Sequence, residues 1–329
     1  MGRRLGRTEL SPDLEKVLHR AVRLEWVTIA VLAVTVTLVF AVMGSSQAMK
    51  AAGIEDLLSF IPPLAFLIGC RVAARRPNER YPYGYHRATG VGHLVAAVAL
   101  VAMGLFLIID SGSGLVKAEH PPIGTVELFG HSLWAGWLMM LVMAVTGIPP
   151  VFLGRAKMKL ARQLHNKVLY ADADMNKADW MTSAGTIVGV AGIGLGFWWT
   201  DAAAALFIAA GIVRDGLRNM RGAITDLMDT TATTFDDDGP HPLVLQIRQY
   251  LQGLEWVSDA GTRVRDEGQV FHVEAFVVPR PGYEPTLERI GAARAGCMEL
   301  DWKLQDTVII PVDALPEEAG GIQGHQAER

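Results

Sequence analysis

Half of the 329 residues are hydrophobic and only 19% are charged, giving a mean hydropathy of +0.26 that a water-soluble globule seldom reaches. The net charge of −4 averages two unlike parts: residues 1–228 hold 22 Lys and Arg against 16 Asp and Glu, whereas residues 229–329 hold 8 against 18. This pattern describes a membrane part followed by an acidic soluble tail, with no nucleic-acid partner; the two cysteines, Cys70 and Cys297, lie far apart and suggest free thiols, neither a disulfide framework nor a paired-thiol metal site.

Residues 1–25 form a polar, charged N-terminal segment. Six apolar runs follow, at roughly 26–43, 47–71, 89–110, 132–153, 168–194 and 200–217. A hydrocarbon core about 30 Å thick requires about 20 such residues per helix, because backbone groups cannot remain unpaired in lipid. The sequence therefore predicts a polytopic α-helical membrane protein with a six-helix transmembrane domain over 26–228. The first run follows a charged segment and has no small-residue cleavage site behind it, so it is expected to remain as a span. Pro62-Pro63 removes two backbone donors from span two and should kink or loosen it, either as a tolerated membrane proline pair or as a hinge. Gly185, Gly189, Gly192 and Gly196 recur at three- or four-residue spacing, which lets helices approach closely.

Basic residues fix the expected orientation. The N-terminal segment carries Arg3, Arg4, Arg7, Lys16, Arg20 and Arg23; the link between spans two and three carries Arg71, Arg75, Arg76, Arg80 and Arg87. The link between spans four and five adds Arg155, Lys157, Lys159, Arg162 and Lys167, and the exit from span six adds Arg214, Arg218 and Arg221, whereas the remaining links hold only Lys50 and Lys117. The positive-inside bias places both termini in the cytoplasm of an integral protein of the cell (inner) membrane.

Residues 229–242, rich in Thr, Asp, Gly and Pro, read as a linker. Over 243–315 a helix in "PLVLQIRQYLQGL", strands in "GTRVRDEG" and "QVFHVEAFVVP", a helix in "TLERIGAARAGCMELDW" and a strand in "DTVIIPVD" give an α-β-β-α-β order, a small cytoplasmic α+β domain with helices on one sheet face. Residues 316–329 are expected to be a disordered tail.

Ionisable groups inside spans cost at least about 2.5 kcal/mol at mid-depth and normally face a cavity, a partner or an ion. In "YADADMNKADWMTS", Asp172, Met175, Asn176 and Asp179 fall on one helical face, and Asp179 lies deepest. Asp174 and Lys177, at i, i+3, point elsewhere and can neutralise each other or sit at the interface. In "AMKAAGIEDLLSF", Glu55 and Ser59 share a face of span two, with Asp56 turned to a different neighbour. Ser59 has an alternative in bonding its own helix backbone. Two helices contributing oxygen ligands at i, i+4 spacing suit a bare divalent cation; no HExxH, phosphate loop or nucleophile elbow competes, so no enzyme is expected.

These residues, together with "PNERYPYGYHRA", "TDAAAALFIAAGI" leading to "LMD", and "GTRVRDEGQVFHVEAFVV", resemble the cation diffusion facilitator family of metal/proton antiporters over nearly the whole chain. The resemblance implies six spans with both ends cytoplasmic, a ferredoxin-like tail domain that dimerises, and homodimeric alternating access. It also implies first ligands at Glu55, Ser59, Met175 and Asp179, where the family usually has Asp or His then Asp in span two, and His then Asp in span five. The histidines that flank the family's Pro-Tyr-Gly segment are replaced by Tyr81 and Tyr85, with His86 one step out of register. The tail's usual metal histidines fall near Gly261, Ala275 and Pro311, although Asp313 remains, so accessory cytoplasmic metal sites are not expected. His272 reads as a surface or packing residue.

Loss of the histidine shifts a site of Glu55, Ser59, Asp179, Asn176 and Asp172 toward oxygen, hence toward Mn²⁺ or Fe²⁺ over Zn²⁺, with Met175 as either a soft ligand or an apolar filler. Protons would be exchanged for the cation at Glu55 and Asp179, with Asp172 as an entry relay, and no resident cofactor is needed. A transport-inactive partner subunit or sensor, and a carrier of a non-transition-metal cation, are the alternatives.

Overall fold

The computed structural model describes residues 12–43, 47–75, 77–118, 123–128, 131–236, 238–268 and 270–319. The expectations placed on residues 1–11, on Arg76 and on the tail beyond residue 319 lie outside these. The chain divides into two compact units: one of residues 16–70 and 91–223, the other of residues 1–15, 71–90 and 224–329.

The first unit is helical. Its helices are α1 (Pro12–Val42), α2 (Gln47–Leu58), α3 (Ile61–Ala73), α4 (Ala88–Val116), α5 (Ala135–Leu164), α6 (Lys167–Gly194) and α7 (Thr200–Leu227), several running past the unit's edges. Among the described residues, four stretches, Pro12–Val42, Ala52–Ala73, Ala88–Val116 and Ala135–Leu164, are long and apolar enough to cross a membrane. Helices α6 and α7 have 28 residues each, roughly 42 Å at 1.5 Å per residue, but carry more polar side chains. Large apolar residues face outward: Phe207 is 80% exposed, Ile109 70% and Trp137 66%. A surface of this kind is stable against lipid, not water.

The second expected span is two helices. Helix α2 ends at Leu58, residues 59–60 form a turn, and α3 starts one residue before Pro62-Pro63. The cause is covalent: neither proline can donate to the carbonyl four residues back, so the carbonyls of Leu58 and Ser59 lose their helical partners.

A short antiparallel hairpin that the sequence reading missed, β1 (Thr125–Leu128) with β2 (His131–Trp134), occupies the start of the fourth expected span. Helix α5 then continues eleven residues past the expected end at 153, to Leu164. His165 adopts a left-handed conformation (φ 45°), and Asn166 caps α6 by accepting from the Leu169 N–H at 2.9 Å. So short a link makes α5 and α6 an antiparallel pair with a fixed register. Glycines hold them close: a methyl at Gly154 would lie 3.1 Å from Asn176 Cβ, and one at Gly147 2.8 Å from Ser183 Cβ.

The second unit contains α8 (Pro242–Gln252), β3 (Val257–Asp266), β4 (Phe271–Pro279), α9 (Leu287–Leu300) and β5 (Asp306–Pro311). The sheet order is β3-β4-β5, antiparallel then parallel. Its core unites Ile247 and Leu251 of α8, Ala293 and Cys297 of α9, and the inward strand residues Val264, Val273, Ala275 and Ile309. The α-β-β-α-β order is thus present, with β3 starting four residues earlier than its expected segment. Cys297 and, in the first unit, Cys70 are buried free thiols.

His272 is a packed residue within this unit. Its Nδ1 lies 2.7 Å from Asp306 Oδ2, and its ring meets Tyr83 edge-on at 6.2 Å between centroids. The Asp306 hydrogen bond raises the imidazole above its ordinary value; the same bond lowers the Asp306 carboxyl.

Candidate functional site: two buried carboxylate clusters

Glu55 and Asp179, from α2 and α6, converge. Ser59 Oγ donates to Asp179 Oδ1 at 2.9 Å, and Thr182 Oγ1 donates to Glu55 Oε1 at 2.9 Å. Glu55 is 1% exposed and Asp179 7%, and Glu55 Oε2 is buried without a hydrogen-bond partner. Asp56, the next residue along α2, is also buried. Helical spacing builds the pairing: Ser59, in the turn that ends α2, follows Glu55 by four residues and bonds its carbonyl, and Asp179 and Thr182 are one turn apart on α6, so each side presents a carboxylate and a hydroxyl to the other. Ser59 also donates to its own helix at Glu55 O, 3.0 Å, so both readings of that hydroxyl hold together.

Asp172 does not join this group. Its Oδ2 accepts from Lys157 Nζ at 2.6 Å, and the same ammonium lies 3.0 Å from Glu25 Oε2. All three side chains are at most 1% exposed. The hairpin register explains the match, since Lys157 lies eight residues before His165 and Asp172 seven after it. Lys157 is therefore a core residue, not part of a cytoplasmic basic link, because α5 carries it inward. Glu25 is one position of the buried α1 stripe Ala21, Glu25, Thr28, Leu32, Thr35 and Val39.

Asn176 and Met175 also depart from the expected set. Asn176 donates from Nδ2 to Asp172 O at 2.8 Å and packs toward Gly154 of α5. Met175 lies in an apolar cluster with Leu100, Met103 and Leu107 of α4 and Ile208 and Ile212 of α7. The four positions do share an arc of α6, but that arc meets several neighbours in turn. Among the described residues, no group of three or more His, Cys, Asp and Glu is arranged to hold a metal ion. What the structure gathers is the Glu55 and Asp179 carboxylates with two hydroxyls, and the buried Asp56 beside Glu55. Thr182 and Glu25 were absent from the sequence reading; helical spacing, i+3 from Asp179 and the i, i+3, i+4 stripe of α1, was the signal for each.

The cation efflux transmembrane domain family matches residues 25–228, well over half of the chain. The chain belongs to the cation diffusion facilitator family. Facilitators of this family that it resembles include the manganese efflux system protein MneS of Bacillus subtilis, 24% identical over 249 residues, covering 74% of this chain and 77% of the relative. Mitochondrial metal transporter 1 of Saccharomyces cerevisiae is 26% identical over 236 residues, 66% of this chain and 46% of the relative. Magnetosome protein MamB of a Magnetospira species is 21% identical over 195 residues, 59% and 62% of the two chains. These facilitators are transport proteins or magnetosome proteins by name, and the chain is accordingly an integral membrane protein of a cation efflux family.

Proposed function

We propose that this facilitator carries a divalent metal cation across the membrane in exchange for protons, with Glu55 and Asp179 as the exchanging ligands. The observation that carries the reading is the pairing itself. Two carboxylates are buried on facing segments, each accepts a hydrogen bond from a hydroxyl of the opposite segment, Ser59 or Thr182, and one Glu55 oxygen is orphaned. Two such charges do not persist in low dielectric alone; a cation or protons must accompany them, and replacing one by the other is antiport at a single site.

The donor set supports a hard ion. Carboxylate and hydroxyl oxygens, completed by water, suit Mn²⁺ or Fe²⁺ better than Zn²⁺, which favours nitrogen and sulfur. The name of the Bacillus relative, a manganese efflux protein, agrees. Asp172, Asn176 and Met175 are omitted from this ligand set because lysine, backbone and apolar packing occupy them.

In the full reading, six helices span the cell membrane with both termini cytoplasmic, α6 and α7 completing the set. The tail is a ferredoxin-like domain over about residues 243–315 that joins two chains into a homodimer, and access alternates by rocking of the helices. The basic residues at the α1, α3–α4 and α5–α6 ends support this orientation.

Reconstituted protein, loaded with a fluorescent metal indicator inside liposomes, tests it. Mn²⁺ flux should accelerate with an opposing pH gradient, and Glu55→Gln and Asp179→Asn should each abolish it. Wild-type flux in both variants would refute the assignment. The same assay with Na⁺ and K⁺ decides whether a monovalent ion is carried instead.

A further inference from the structure

A small cavity adjoins the site on the side away from the lysine cluster. It has a volume of about 10 Å³ and is lined by Thr182, Thr186 and Gly185 of α6, Asp201 of α7, and the apolar side chains of Leu107 and Ile208. That is close to the roughly 10–15 Å³ a single water requires, and the wall supplies three polar side chains to hold one. Its inner end is Thr182, the residue that donates to Glu55. Asp201, in the first turn of α7, is 2% exposed and is the one ionisable side chain in the wall.

The close approach of α6 and α7 creates this arrangement. A methyl at Gly189 would lie 2.6 Å from Asp201 Oδ1, one at Gly185 2.0 Å from Ile208 Cδ1, and one at Gly192 2.2 Å from Thr200 Oγ1. Gly189 is the most constrained, because its methyl would also meet the α7 backbone at Asp201 Cα, 2.7 Å away, whereas at Gly185 the end of the Ile208 side chain would have to turn aside. The small-residue stripe therefore seats a buried carboxylate beside a largely apolar, water-sized hollow with Thr182 and Thr186 also in its wall. Asp201 lies in the first turn of α7, and a carboxylate buried there has to be met by polar groups.

We propose that Asp201 and Thr186, with the water-sized cavity between Thr182 and Asp201, form the outer proton path of the Glu55 site. The inference rests on the proposed exchange at Glu55 and on the orientation that puts the α6–α7 link outside. A proton from outer water adds to an Asp201 carboxylate oxygen. It passes through the cavity water, in hydrogen-bond exchange with the Thr186 and Thr182 hydroxyls, to a Glu55 carboxylate oxygen as the cation departs, and Asp201 is left as a carboxylate again. No electrons move, and one proton is taken up for each transfer. Ionisable groups near the path are few: Glu55, Asp56 and Asp179 lie beyond its inner end, and Asp110, three residues past Leu107 on α4, is partly buried. Asp201 is thus a positioning and relay residue, not a cation ligand.

The test uses the full chain. Mn²⁺ binding in detergent is measured by titration, and Mn²⁺ flux and proton flux are measured in liposomes across a range of outer pH. Asp201→Asn should bind Mn²⁺ within about twofold of wild type, yet lose at least tenfold in coupled proton flux, with the pH dependence of transport flattened on the outer side. Asp201→Glu should restore most of both. Thr186→Val, which keeps the shape and removes a hydroxyl, should lower proton flux severalfold with binding unchanged. Wild-type proton flux and pH profile in Asp201→Asn would overturn the path, as would loss of Mn²⁺ binding in that variant. Should Asp201→Asn not fold, Thr186→Val decides alone, and an unchanged proton flux there overturns it. Glu55→Gln is the separate arm: full Mn²⁺ binding and transport in that variant sinks the exchange at Glu55 itself, whereas a dead Glu55→Gln beside a normal Asp201→Asn and Thr186→Val sinks only the path.

Discussion

The helical unit buries two carboxylate pairs on neighbouring faces, and they are neutralised differently. Glu25 and Asp172 share an ammonium, Lys157, at 3.0 and 2.6 Å. Glu55 and Asp179 share only hydroxyls, from Thr182 and Ser59. The first cluster carries on a tether a cation that both of its carboxylates share; the second has, among the described residues, no cation of its own within hydrogen-bond reach. The difference separates a cluster that ties α1, α5 and α6 together from the pair proposed to exchange ions, although both are built from the same residue types at the same helical spacing.

That contrast breaks most visibly at Lys157. Lys157→Met should strand two buried charges and cost about 3–5 kcal/mol, read as a large fall in the detergent melting temperature. Adding Glu25→Gln and Asp172→Asn to it should recover most of that loss, because a neutral trio lacks the unpaired charge. At the other pair the opposite holds: Glu55→Gln and Asp179→Asn should leave melting within about 1 kcal/mol of wild type while Mn²⁺ affinity falls about a hundredfold, equivalent to about 2.7 kcal/mol in a binding titration. A protein whose two clusters responded alike in melting would erase the distinction.

The packing beneath the second cluster gives a smaller effect. Gly189→Ala pushes a methyl against Asp201 and should cost about 1–3 kcal/mol by melting. Gly211, which has open space around its would-be Cβ, should accept alanine with a gain of roughly 0.5–1 kcal/mol from helix propensity.

The smallest effect lies outside the membrane, at the ion pair that resembles the Lys157 cluster in miniature. The His272 pKa is raised by its bond to Asp306, so its contribution is complete below about 6.5 and is lost as pH rises through the higher folded value. The Asp306 pKa is lowered, so its contribution is present above about 3.9 and is lost as pH falls through the lower folded value. Melting of the full chain should therefore show the pair's support greatest between about pH 4 and 6.5. In His272→Gln the decline above that window should be shallower than in wild type.

The sequence showed the helical runs because apolar length is a strong signal, and it showed the Glu55–Ser59 and Asp179 convergence because an orphan carboxylate in an apolar run has few structural explanations. It hid Lys157 because a lysine among Arg155, Lys159 and Arg162 reads as a flank; only the buried positions Leu153, Lys157, Ala161 and Leu164, at helical spacing, separate it from its neighbours. It hid Glu25 for a similar reason, one ionisable position within an otherwise uncharged buried stripe. Asp172, Met175 and Asn176 were grouped correctly by arc, but an arc does not say which helix faces it. That information lives in the α5–α6 hairpin register and in the glycines that set its spacing.

The interruption between α2 and α3 falls beside the hydroxyl that holds Asp179. A change in the angle between those two helices would pivot on residues 59–60 and shift Ser59 against Asp179, so in the proposed carrier the bending of this segment and the make-up of the ion's surroundings would be a single coordinate.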